Sequence, residues 1–162
     1  MHRIALVLFA AVFAAPAAAQ LPTIDPAGQY RLIGPSARSD SRCIGRPETP
    51  LCAVETLLAC FARRDTDLCR IVWSIGPAGL GFETTQHWRY WWGYRVAAAE
   101  QVSADEAVIA IAGRSCGLQL SEPDCGSTAA APPTRYRVRQ VAGGNWQVLD
   151  WQSQPGDPTP IR

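Results

Sequence analysis

Six cysteines stand at positions 43, 52, 60, 69, 116 and 125, and taken two at a time they repeat one C-x8-C interval. Thiols can cross-link a chain, hold a metal or do redox work, and spacing separates these uses. Zinc sites need C-x2-4-C pairs or closely spaced histidines, and neither occurs. A catalytic thiol needs an unpaired cysteine beside a base, and an even count leaves none over. Six cysteines admit fifteen connectivities, and the local set Cys43–Cys52, Cys60–Cys69 and Cys116–Cys125 is the one expected. Each such bridge closes a short loop and contributes roughly 2.5 kcal/mol. No metal and no cofactor is expected.

Acid–base chemistry has two candidates, His87 and Asp150. Asp150 follows Trp146 and Val148 at strand spacing, so all three are expected on one face. The plainer reading of each candidate is structural: a strand aspartate paired with an arginine, and a solvent-facing histidine at a strand start. Around them the sequence has no nucleophile elbow, paired-carboxylate motif or metal-ligand cluster. The glycine-rich Gly76-Pro77-Ala78-Gly79-Leu80-Gly81 lacks a lysine and a preceding strand, so it reads as a connection and not as a phosphate loop.

Recognition chemistry is more visible. His87, Trp88, Tyr90, Trp91, Trp92 and Tyr94 crowd into eight positions. Tryptophan and tyrosine combine broad apolar surface with a polar tip, which suits a ring-bearing ligand, a sugar or a protein partner. Trp88, Tyr90, Trp92 and Tyr94 share one strand face and would equally serve as core, whereas Trp91 points to the other side with Arg89 and Arg95. A second period-2 stripe, Arg135, Arg137 and Arg139, reads as a solvated outer sheet face.

These residues need elements to hold them. Met1-His2-Arg3, the apolar run Ile4 to Ala15 and the small residues Ala17-Ala18-Ala19 have the form of an export signal over 1–19. The run is too short to span a membrane. Without Arg3, fourteen arginines balance fourteen acids, and there is no lysine. A neutral chain is a poor match for nucleic acid or an anionic membrane. The expected location is the bacterial periplasm or the exterior, where disulfides persist.

Residues 20–48 are an irregular leader broken by prolines and glycines, with a short strand possible around Tyr30 to Ile33. Thr49-Pro50 starts a helix whose Leu51, Val54, Leu57, Leu58 and Phe61 fall within an arc of about 120°. Cys52 and Cys60 lie off that stripe, placed to tether chain across the outside of the helix. Asp65 caps a second helix from about Thr66 to Ile75, with Leu68, Ile71, Val72 and Ile75 on its apolar side. The period then changes to two over Trp88–Val96, Ala107–Ala112, Thr134–Val141 and Trp146–Ser153, the last two joined by Gly143-Gly144-Asn145. Residues 113–133 form a long loop, and 154–162 a disordered tail. The fold class is α+β over 49–153: helices packed on a bent four-stranded antiparallel sheet.

The helix Ala53-Val54-Glu55-Thr56-Leu57-Leu58-Ala59-Cys60-Phe61-Ala62-Arg63-Arg64-Asp65 resembles the opening helix of the nuclear transport factor 2-like (cystatin-like cone) superfamily. The segment Gly144-Asn145-Trp146-Gln147-Val148-Leu149-Asp150-Trp151 is similar to that superfamily's last strand. The resemblance implies a conical sheet whose concave face and first helix enclose an apolar pocket, in members that range from isomerases and small dehydratases to non-catalytic binding modules. The expected function is an exported non-catalytic module binding a small apolar ligand or a partner protein through Trp88, Tyr90, Trp91, Trp92 and Tyr94. One alternative is a secreted inhibitor or immunity-type protein acting through a loop such as 113–133. Gln140-Val141-Ala142-Gly143-Gly144-Asn145-Trp146 faintly resembles a cystatin inhibitory hairpin. The other alternative is a cofactor-free isomerase or lyase, with Asp150 or His87 shuttling a proton inside the cone.

Overall fold

The computed structural model describes residues 20–24, 31–34, 39–73, 91–116 and 133–152. Helix α1 (Pro50–Arg63) begins where the sequence predicts. Thr49 is extended, and its hydroxyl accepts from the Cys52 N–H at 3.2 Å, with Pro50 occupying the first turn at no cost in hydrogen bonds. The helix stops at Arg64, which adopts the left-handed conformation and donates its N–H to the last carbonyls. Asp65 then caps α2 (Thr66–Val72), its carboxylate accepting from the N–H groups of Asp67 and Leu68 at 3.0 and 3.1 Å.

Five antiparallel strands follow the order β1-β2-β3-β4-β5: β1 (Arg31–Ile33), β2 (Trp91–Gln101), β3 (Glu106–Cys116), β4 (Thr134–Gln140) and β5 (Trp146–Gln152). The four-stranded expectation is thus corrected by one strand. The added strand, β1, is three residues long, too short to show a period, and it is held by its neighbours. Its residues pair with Trp92, Gly93 and Tyr94 on one side. On the other, the Leu32 N–H donates to the Asp40 carboxylate at 2.7 Å and Asp40 N–H returns to the Leu32 carbonyl at 2.8 Å.

The sheet curls because it is bulged twice. Register shifts occur between Val96 and Ala98 on β2, and between Arg137 and Val138 on β4 where Asp150 and Val148 stand opposite. Each extra residue bends its strand and adds twist. The resulting half-barrel wraps α1, an arrangement compatible with a cone-like fold. Val54, Leu57 and Leu58 of α1 pack with Ile33, Tyr94, Ile109, Val138, Trp146 and Val148 in one core. Fully burying each aliphatic side chain there is worth roughly 1.5–3 kcal/mol.

The helix is buried beyond its predicted stripe, because the loop before it and α2 after it cover its far side. Cys60 is consequently a core residue, fully buried with Cys69, and not an outward tether. Ile71, expected on the apolar side of α2, is instead exposed. Two of the three expected disulfides, Cys43–Cys52 and Cys60–Cys69, are at bonding distance. The Cys116–Cys125 pair lies outside the described residues, since Cys125 does. So do the export signal, the tail, and most of the loop 113–133.

Register fixes which ends of the elements meet. Trp91 pairs with Cys116, Ile111 with Thr134, and Arg135 with Gln152. Hence the described chain enters β2, leaves β3, enters β4 and leaves β5 at one end of the sheet. The opposite end carries the tight β2–β3 and β4–β5 turns. Helix α1 runs from the turn end, where Trp146 N–H donates to the Pro47 carbonyl, to the loop end, where Arg63 reaches the Gly34 carbonyl and the Ser39 hydroxyl.

Candidate functional site

The predicted site residues separate in the structure. His87, Trp88 and Tyr90 lie outside the described residues. Trp91 and Trp92 open β2 at the loop end, Trp92 pairing with Ile33 on one side and Ser115 on the other. Tyr94, two residues along, is fully buried beneath α1.

Asp150 shows how a bulge redirects chemistry. Simple alternation put it on the face of Trp146 and Val148, which are buried. Val138 pairs with Val148 but Arg137 pairs with Asp150, so Leu149 is the extra residue and the alternation inverts beyond it. Asp150 therefore faces Arg137, whose guanidinium lies 3.6 Å from its carboxylate, and its side chain is 43% exposed. Trp151 takes the inward direction instead. It stacks near Tyr136, with ring centroids 6.4 Å apart, and meets Phe61 and Trp73 at 5.9 and 5.3 Å. Phe61 and Trp151 remain half-buried at the rim of this four-ring cluster.

The arginine stripe on β4 is matched by acids on β2, β3 and β5. Arg137 and Arg139 bracket Glu106 at 2.8 and 3.0 Å, and Arg135 lies 3.6 Å from Glu100. Exposed pairs of this kind contribute only about 0–1 kcal/mol each, and they neutralise the face.

One polar cluster escaped the sequence reading. Glu55, in the middle of α1, is only 2% exposed. Its carboxylate accepts from the Tyr94 hydroxyl through Oε1 and from the Ser41 hydroxyl through Oε2, both in close contact. The Arg31 guanidinium approaches Oε1 at 3.8 Å and sits 5.2 Å from the centre of the Tyr94 ring. Burial, followed by the neighbouring Glu55 charge, pushes the Tyr94 phenol well above its ordinary value. A signal existed: Glu55 stands four residues after Leu51 and three before Leu58, at the edge of the apolar stripe.

Glu55 also abuts the first disulfide, with the Cys43 Sγ 3.2 Å from Oε2. Cys43, Cys52 and Glu55 place one ligand-type atom each within 4.8 Å of the others. In the oxidised chain the two sulfurs are bonded to each other and supply no thiolate.

Comparison of the chain with protein-family models, with curated proteins and with solved structures gives no match. Among the described residues, no helix is long and apolar enough to cross a membrane. The two disulfides are compatible with a periplasmic or extracellular location.

Proposed function

We propose that this chain is an exported, non-catalytic binding module that holds a small apolar ligand or the apolar surface of a partner protein at the loop end of its sheet. The carrying observation is the half-open aromatic cluster there, in which Phe61 and Trp151 stay partly accessible over the buried Trp73 and Tyr136. Aromatic side chains at a rim offer large contact area at little cost in conformational entropy. Trp91 and Trp92 are the first residues of β2 and stand at the same end of the sheet.

Two features support binding over catalysis. The concave side of the sheet is occupied by α1 and its packed core. The acid buried there, Glu55, already accepts two hydroxyls, while Asp150 is engaged with Arg137 on the outer face.

Native mass spectrometry of the mature protein, purified from an oxidising compartment, tests the reading. A retained small molecule, or a stoichiometric protein complex, that is lost in the folded Trp151→Ala and Trp91→Ala/Trp92→Ala variants is the expected result. Retention unaffected by either variant, or neither species in the wild type, overturns it.

A further inference from the structure

Cys52 and Glu55 are three residues apart on α1, so their side chains leave the same face of the helix. Cys43 meets them from the preceding loop, and that loop has anchors of its own. Gly45, in a left-handed conformation at φ +81°, donates its N–H to the Thr56 hydroxyl at 3.0 Å, and Arg46 N–H closes a turn onto the Cys43 carbonyl at 2.9 Å. Cleaving the sulfur–sulfur bond would leave both hydrogen bonds in place and the three side chains together.

We infer that reduction of Cys43–Cys52 converts this cluster into a binding site for a thiophilic divalent cation of the zinc class. Its ligands are the two thiolates and the Glu55 carboxylate, with a fourth position for water. A Cα–Cα separation of 5.5 Å lets both sulfurs reach about 2.3 Å from one zinc ion. The outer shell is already present, since Tyr94 and Ser41 orient the Glu55 carboxylate by donating to it. Charge also closes: two thiolates and a carboxylate against a divalent ion leave one negative charge, and Arg31 stands beside Oε1 to balance it.

Accessibility makes the step selective. Cys60 and Cys69 are fully buried, whereas Cys43 and Cys52 are half-buried. Of the two described disulfides, a dithiol reductant therefore attacks Cys43–Cys52 before Cys60–Cys69. It transfers two electrons and two protons to the two sulfurs and leaves as its own cyclic disulfide. The cation then displaces both thiol protons to solvent. The disulfide is the closed form of the site, and export into an oxidising compartment keeps it closed.

Cadmium is a direct probe. The mature protein is reduced on an immobilised dithiol, separated from it, and titrated with Cd2+ while the ultraviolet cadmium–thiolate band is followed. The expected result is one high-affinity ion per chain in wild type and in Cys116→Ser/Cys125→Ser, no such ion in Cys43→Ser/Cys52→Ser, and at least about tenfold weaker binding in Glu55→Gln. A shift of the carboxylate stretch in the infrared difference spectrum of wild type on adding Cd2+ tests Glu55 without a variant. Binding that persists in Cys43→Ser/Cys52→Ser, or an unshifted carboxylate in the loaded wild type, overturns the assignment.

Discussion

The Tyr94 hydroxyl donates to the Glu55 carboxylate, joining β2 to α1 across 39 positions of sequence inside the apolar core. A buried carboxylate is tolerated only where its lone pairs are occupied, and here Tyr94, Ser41 and Arg31 divide that role. Losing one member therefore costs more than its own hydrogen bond.

Replacing Glu55 by leucine strands the Tyr94 and Ser41 hydroxyls, and the expected loss is about 2–4 kcal/mol. Glu55→Gln keeps one acceptor and loses about 1–2 kcal/mol. Urea denaturation of the oxidised protein gives both values. A double cycle with Tyr94→Phe should return a coupling of about 1 kcal/mol, and additive losses would refute the linkage.

The same pair sets an alkaline limit. Burial and the Glu55 charge raise the Tyr94 phenol in the folded chain, and burial does the same for Tyr136. A raised folded value means that the stabilisation is complete below the ordinary phenol value of 10.0 and is lost as pH rises above it. Spectrophotometric titration of wild type should show phenols ionising only as the fold is lost. In Tyr94→Phe the amplitude of that late phase falls.

The two described disulfides differ in depth, and their removal should differ in cost. Cys60→Ala/Cys69→Ala opens space in the core as well as freeing a loop, for about 3–5 kcal/mol. Cys43→Ala/Cys52→Ala frees a half-buried loop that keeps its Gly45–Thr56 hydrogen bond, for about 2–3 kcal/mol. Thermal melts of the two variants in one buffer decide the order.

Asp150 and Trp151 are adjacent and alternate to opposite faces, and the β5 bulge makes Trp151 the inward one. Asp150→Asn should change stability by less than about 1 kcal/mol, because its ion pair with Arg137 is half-exposed. Trp151→Ala should cost about 2–3 kcal/mol by opening the four-ring cluster. Comparable losses in the two variants would contradict the register shift.

The β4–β5 turn depends on Gly144, which sits at φ +86° with ample room for a side-chain carbon, the nearest atom to such a carbon being 3.9 Å away. Conformation alone is then at stake, and Gly144→Ala should cost about 1–2 kcal/mol with no change in near-ultraviolet circular dichroism.

Much of this was legible in linear order. Thr49-Pro50 and Asp65 announced two helix starts, because a cap is a contact between residues two or three apart. Tyr136 and Val138 alternating with three arginines announced the inward face of β4, because strand geometry has period two. Other features depend on residues far apart in the chain. A short strand around Tyr30 to Ile33 was readable, but its place in the sheet was not, because it is set by Gly93 and Asp40 on either side. Asp150 was assigned to the wrong face, because a bulge is created by the pairing of two strands and not by either alone. Glu55 was not singled out in linear order, because its partners Tyr94 and Ser41 lie 39 and 14 residues away.

By itself the sequence determined the two helix starts with their caps, the β4–β5 turn and the alternation of β4, all consequences of backbone geometry acting over about ten residues or fewer, while it left the cysteine pairing as an expectation. Only the tertiary structure decided which acid is buried, which aromatics form the rim and which disulfide is deep. Those outcomes depend on how far two bulges curl the sheet around α1, and curvature is a property of the paired strands together.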